Sequence, residues 1–301
     1  MTELNVLLYH GVIPDELELN GENSSGKHVL FSDFYKQMKY VSEKYNLVTM
    51  FDIADHISGK KKIDNDSVAV TFDDGFLNNY KYAWQVLENF KVPATFYLST
   101  GFISEKKKIW TDTLEIIFLN SKNHSINYFD NEKKSIIFKN NAERVEKLRI
   151  MKNNLKSKPN SFVEKFMKYI VDNNFNKKKN EPDIYDFMNW NQIREMNESS
   201  LITFGAHTVN HVSLTKVDIK RARWEIEKSI SDLSDQLNQD VVLFSYPEGQ
   251  EEDINDQIIS ILKHKINHCP SAIKGKNNLE NLNPFYIHRT MVGFNNQAFP
   301  L

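Results

Sequence analysis

The chain has 301 residues, 40% of them hydrophobic and 26% charged, with a formal net charge of −2 and a mean hydropathy of −0.53. That balance suits a globular protein with a sizeable core; it leaves no basic footprint for nucleic acid and no apolar run of ~20 residues for a membrane span. One cysteine, Cys269, excludes an internal disulfide and any Cys-rich zinc module. Met1-Thr2-Glu3-Leu4-Asn5 lacks the basic start of a signal peptide, so a cytoplasmic location is expected, with export by another route left open.

In chain order, residues 5–11 read as a buried strand with His10 at its end, and 14–30 as a polar surface loop. Ser32 or Asp33 is expected to cap a helix carrying Phe34, Met38 and Val41, followed by a short strand at 47–48 and a helix over 52–58. Val68, Val70 and Phe72 alternate with Ala69 and Thr71 in a central strand that runs into Asp73-Asp74-Gly75. Tyr80, Ala83, Trp84, Leu87 and Phe90 then recur at helical spacing, and 92–98 is the next strand. This β-α-β-α-β order implies parallel strands with helical crossovers.

From about 104 to 188 the pattern changes. A helix through Trp110, Leu114, Ile117 and Phe118, a hairpin around Asp130-Asn131-Glu132 and helices over 142–155 and 161–171 precede the run Lys177-Lys178-Lys179-Asn180. The segment reads as an insertion into a single domain spanning 1–301, without a catalytic cluster. The α/β pattern resumes with a helix at Ile193 and Met196, a strand over 201–206 and then His207-Thr208-Val209-Asn210-His211. A helical stretch there would put both imidazoles on one face. Arg221 to Leu237 is an amphipathic helix with Trp224, Ile226 and Ile230 on its expected core face; a strand over 241–244 leads into Ser245-Tyr246-Pro247-Glu248-Gly249. Residues 254–262 are helical, His264 and His268 are expected on an exposed segment, and 285–289 is a last strand.

Asp74, His207 and His211 offer one oxygen and two nitrogens from the ends of two strands, the three-ligand form of a catalytic zinc site with a position left for water. Bound metal lowers the pKa of water toward ~7 and polarises a carbonyl. Asp73, left free by its neighbour, is the candidate general base.

Thr71-Phe72-Asp73-Asp74-Gly75, His207-Thr208-Val209-Asn210-His211 and Phe244-Ser245-Tyr246-Pro247-Glu248-Gly249 together resemble successive motifs of the polysaccharide deacetylases, the NodB-homology family of carbohydrate esterases. Tyr9-His10-Gly11-Val12 resembles the opening strand of one branch of it. The resemblance covers 4–103 and 188–292 and not the middle segment. It implies a distorted (β/α)7 barrel and metal-dependent removal of an acetyl group from an N-acetylated sugar, with zinc as the expected divalent ion. By the same resemblance Asp73 matches the base, Asp74, His207 and His211 the metal ligands, and Tyr246-Pro247-Glu248 the stretch whose backbone meets substrate and oxyanion.

Two departures stand out. Glu248 occupies the place of an aromatic residue, although a backbone N–H donor does not depend on side-chain type. Ser245 stands where the family commonly has an arginine, and Arg289 resembles an arginine that supplies the cation in the branch with the Tyr-His opening. The general acid is His288 by position or His10. Alternation points His288 and Arg289 to opposite faces, which tips the choice toward Arg289 inward with His10 nearby without closing it. Rival readings are hydrolysis of another C–N bond and a non-catalytic carbohydrate-binding relative. The sugar, the native metal and the oligomeric state are not legible.

Overall fold

A computed structural model describes residues 3–17, 21–64, 66–121, 124–130, 132–174, 183–294 and 299. Strand β1 (Glu3–Tyr9) leads to the short parallel pair β2 (Gly11–Ile13) and β3 (His28–Leu30), then helix α1 (Phe31–Lys44), strand β4 (Asn46–Leu47) and helix α2 (Met50–Ile57). Thr49 and Asp52 cap α2 reciprocally, each side chain accepting the other's backbone N–H. Strand β5 (Ser67–Phe72), helix α3 (Trp84–Phe90) and strand β6 (Ala94–Leu98) follow. Next come helix α4 (Trp110–Leu119), the antiparallel hairpin of β7 (Ser125–Asp130) and β8 (Glu132–Ile137), and helices α5 (Asn141–Lys156) and α6 (Asn160–Asn174). Helix α7 (Trp190–Asn197), strand β9 (Ile202–Ala206), helices α8 (Ile219–Leu237) and α9 (Asp256–Leu262) and the two-residue strands β10 (Asn277–Asn278) and β11 (Thr290–Met291) complete the order.

The centre is a parallel array in which β11 pairs β1, β1 pairs β5, β5 pairs β6 and β6 pairs β9. Register and alternation sort its side chains. Tyr9, Phe72, Phe96 and Phe204 lie on the outer face, packed under the helices, and Tyr9–Phe72 and Phe72–Phe96 stack with centroids 5.3 and 4.6 Å apart. Val6, Ala69, Tyr97, Leu243 and Ile287 fill the other face as a separate interior cluster. Two further staves are irregular, and Ile287 lies on the stretch that leads into β11. The segment around Phe244 bridges Ala206 in parallel, Pro270 bridges Ile287 in parallel, and one backbone bond, Ala272 N–H to Gly249 O, joins these two parts. Seven staves in this order fit the distorted α/β barrel that the family resemblance implies.

Tyr97 fills the interior because the residue opposite it is Gly205. A Cβ there would stand 2.7 Å from the Tyr97 ring and 2.9 Å from Leu243 Cβ. Gly205→Ala is expected to cost about 1–3 kcal/mol by overpacking. Urea denaturation measures this, and an unchanged midpoint would contradict the packing argument.

Several expectations change. The 14–30 segment is not simply a surface loop: it contributes β3 and buries Lys27 and His28. α1 starts at Phe31, and Ser32 binds Asp15 rather than capping the helix. The expected strand over 241–244 shrinks to the bridge at Phe244, and regular pairing near the C-terminus is confined to Thr290–Met291. Trp224 is 45% exposed, because Ala222, Ile226, Ile230 and Leu233 take the buried stripe of α8. His268 is buried rather than exposed, and burial lowers its pKa to about 4. The run 177–180 lies outside the described residues.

α4, the hairpin, α5 and α6 share their own apolar cluster, including Leu114, Phe118, Phe138, Leu148 and Phe166. Polar bonds tie it to the barrel. Lys27 Nζ meets Asp112 Oδ1 at 2.5 Å, and Glu115 accepts from the Ser24 N–H at 2.8 Å and from Tyr185 Oη at 3.1 Å. No described helix is long and apolar enough to cross a membrane.

Candidate functional site

β5 delivers Asp73 and Asp74 to the mouth of the barrel. The Asp73 N–H still donates to Tyr9 O, continuing the β1–β5 ladder, and then the chain turns sharply, with φ of +77° at Asp74 and +94° at Gly75. Asp74 adopts a region that only glycine visits freely, a local cost seen mainly at functional sites. This turn separates the two carboxylates, so that adjacent residues meet different partners.

The 207–211 stretch is not helical, contrary to the condition under which both rings would share a face. Positive φ values at Thr208 (+65°) and His211 (+50°) fold it into a tight loop instead. That loop is clamped from two sides. The buried Glu225 carboxylate accepts the N–H groups of Val209 and Asn210, each at 2.9 Å. The Thr100 and Gly101 N–H groups donate to Thr208 O and Val209 O. Gly101 is required there, since a Cβ would sit 2.7 Å from Val209 O. The two imidazole centroids end 5.1 Å apart.

One ligand atom from each of Asp74, His207 and His211 lies within 4.8 Å of the others. His211 Nε2 is 3.2 Å and His207 Nε2 is 3.7 Å from Asp74 Oδ1. Burial lowers the pKa of His207, and its Nδ1 faces the Ser245 carbonyl at 2.8 Å. A carbonyl only accepts, so Nδ1 carries the hydrogen and Nε2 keeps its lone pair for a cation. Burial disfavours the Asp74 carboxylate, but His211, His10 and Lys27 outweigh it and hold its pKa below the usual range. For His211, burial is outweighed by Asp74, and the pKa rises. Asp74 Oδ1 is buried and has no hydrogen-bond partner among the described residues. An orphaned carboxylate oxygen facing two imidazole nitrogens fits a divalent metal ion.

Asp73 faces a different group. Arg289 is wholly buried and spends all five donors: Nη1 on Asp73 Oδ1 (2.8 Å) and Thr71 Oγ1 (3.2 Å), Nη2 on Asp73 Oδ2 (2.7 Å) and Ser245 Oγ (2.8 Å), and Nε on Ser271 O (2.6 Å). The small Ser245 both makes room for the guanidinium and binds it, which accounts for its departure from the family pattern.

The other sequence candidates divide. His10 follows Tyr9, whose carbonyl accepts the Asp73 N–H, so it leaves β1 at the end where β5 delivers the two carboxylates; its ring is 5.1 Å from Phe294, and burial lowers its pKa to about 4 against the opposing pull of Asp74 and Asp73. His288, one of the two acid candidates, does not join the cluster. Asn277 pins its backbone through both N–H and C=O, and its ring packs against Gly275 on the outer surface, because Arg289 takes the inward direction. The Tyr246 side chain is buried in the outer core, so only its backbone remains on the site side, and Pro247 is buried beside it. Glu248 stands at φ +60°, and its N–H donates to nothing among the described residues. Sequence reasoning missed Lys27, His28 and Lys156. Lys27 and His28 arrive through the segment read as a loop, and Lys156 from α5 places Nζ 2.7 Å from Glu248 Oε2. Nothing in local spacing signals these. Thr71 was findable, since alternation puts it on the face of Asp73.

A sequence-family model described as polysaccharide deacetylase matches residues 60–265. No curated protein matches the chain. Among solved structures, the Streptococcus pyogenes deacetylase PplD, in complex with acetate, superposes with a TM-score of 0.64 at 17% identity over 98% of this chain and 94% of that one. IcaB from Ammonifex degensii gives 0.61 at 19% identity over 97% and 92%, and a de-N-acetylase from Aggregatibacter actinomycetemcomitans 0.61 at 18% over 99% and 97%.

Proposed function

Because the chain belongs to the polysaccharide deacetylase family, we propose that it removes the acetyl group of an N-acetylated sugar by metal-assisted hydrolysis of the amide. The observation that carries this reading is the convergence of Asp74, His207 and His211 beside a second carboxylate, Asp73, that is held on Arg289. A divalent metal on the triad, zinc by its N₂O donor set, would supply the Lewis acid that lowers the pKa of water toward ~7 and polarises the carbonyl.

The protein's own groups do the rest. Asp73 accepts the proton as water adds to the acetyl carbon; Arg289 fixes the carboxylate so that a lone pair remains for it. The unengaged Glu248 N–H supports the oxyanion. The C–N bond then breaks, releasing acetate and an amine, and the nitrogen needs a proton. Asp73 already holds one. His10, with a pKa of about 4, is neutral at pH 7 and acts as donor only if it receives that proton during turnover.

Metal analysis of the purified protein beside the Asp74→Ala, His207→Ala double variant tests the reading. About one equivalent of zinc or another divalent metal is expected in the parent and none in the variant, with acetate released from acetamido oligosaccharides only by the parent. A parent that binds no metal after reconstitution would overturn it.

A further inference from the structure

β8, α5 and α6 enclose a pocket of about 420 Å³ outside the deacetylase site. Its α5 wall is built from positions 147, 150, 151, 154 and 155, which share one face of that helix. Met151, Leu155 and Phe166 form a buried floor. At the rim stand Ile137, 65% exposed, and Ile150, 46% exposed. These are the two most exposed large hydrophobic side chains among the described residues, and both open on this one cavity. Scattered exposed apolar residues need no explanation; a pair flanking an apolar cavity does.

The charged part of the lining has one sign. Lys147 and Lys158 belong to it, and no Asp or Glu does. Lys147 is partly engaged, bonding the Ile137 carbonyl and facing Glu143 at 3.8 Å. Lys158 Nζ sits 5.9 Å over the Phe162 ring and has no carboxylate partner among the described residues; nor has Lys165, exposed on α6 one turn beyond Phe162. Residues 133–168, which hold all of the lining but Tyr128, contain 11 Lys and Arg against 3 Asp and Glu. That is a net +8 within a chain of net −2, which leaves −10 for the remainder. Charge alone would suit any anionic polymer, but a polymer of phosphates or sulfates has nothing to put into an apolar cavity. An anionic phospholipid offers a headgroup for the lysines and an acyl chain for the pocket.

We propose that this pocket receives an acyl chain of an anionic phospholipid and docks the 104–188 segment on a negatively charged membrane surface. Lys156, the last residue of α5, follows the lining residue Leu155 and reaches Glu248 Oε2 at 2.7 Å, so the docked face adjoins the mouth of the barrel. The contact is peripheral and depends neither on bound metal nor on the deacetylase reading.

Co-sedimentation of the full-length protein with lipid vesicles tests this. The parent is expected to bind phosphatidylcholine vesicles containing phosphatidylglycerol about tenfold or more tightly than vesicles of phosphatidylcholine alone, and less tightly as salt rises. Lys158→Gln and Lys165→Gln should each weaken that binding about fivefold. The Ile137→Ser, Ile150→Ser double variant keeps every charge and alters only exposed positions, so its melting temperature should match the parent while its vesicle affinity falls roughly tenfold. Monomeric dioctanoyl phosphatidylglycerol should raise the melting temperature of the parent and not of that variant. Equal binding to both kinds of vesicle, or parent-like vesicle binding by the isoleucine variant, would overturn the proposal. If dextran sulfate binds as tightly as the anionic vesicles and the isoleucine variant is unaffected, the segment is a site for an anionic polymer and not for lipid.

Discussion

Asp73→Asn is expected to keep the metal and lose about 10²–10⁴-fold in kcat, the usual contribution of a positioned general base. The amide has the size of the carboxylate but cannot accept the proton of water. Asp74, His207 and His211 are untouched, so metal content measured beside kcat separates this loss from a broken metal site. The substitution also reaches Arg289. Two of its donors end on Asp73, and the amide offers one acceptor and presents its NH₂ to the guanidinium. A lower melting temperature should therefore accompany the loss, and kcat must be referred to the folded fraction. Turnover near the parent level in a folded Asp73→Asn protein would remove the residue from the mechanism.

Arg289→Met is expected to be the most destabilising single change at the site. It leaves Asp73, 4% exposed, and the hydroxyls of Thr71 and Ser245 without their donor. Removing one partner of a buried ion pair typically costs about 3–5 kcal/mol, because the remaining charge is stranded. Arg289→Lys should recover only part of this, since an ammonium cannot reproduce two parallel bonds to Asp73 along with those to Ser245 and Ser271. The informative partner is Ser245→Arg, which restores the arginine common in the third motif of the family. If the site needs a guanidinium on Asp73 irrespective of its source, Ser245→Arg in the Arg289→Met background should raise both the urea midpoint and kcat. An unaltered urea midpoint in Arg289→Met alone would show that the pair is not what holds Asp73.

These two changes meet at the residues where the sequence was most and least informative. The strand 67–72 running into Asp73 and Asp74 was legible because alternating β-branched and apolar residues leave one reading for the backbone. The spacing of His207 and His211 was legible as a ligand pair, but the reason given for it was not. A loop with two left-handed residues, clamped by Glu225, brings the rings together without the helix that would also have put them on one face. Left-handed backbone at Thr208 and His211 is held by tertiary hydrogen bonds, and neither residue type announces it.

The sequence by itself determined the parallel α/β order, the carboxylate pair at the end of the central strand and the two histidines, because each depends on local periodicity or on residue type at a fixed offset. It also narrowed the last motif to two opposed residues, since alternation forbids His288 and Arg289 from sharing a face. Only the tertiary structure decided which of them turns inward. That outcome depends on Thr71, Asp73, Ser245 and Ser271, drawn from three staves, being assembled around one guanidinium. The same holds for Lys27 and Lys156. Lys27 sits on a segment that looked like a loop, and Lys156 lies 92 residues from Glu248. Contacts between residues so far apart are fixed by how the barrel and the 104–188 segment pack, and no local pattern in the chain records them.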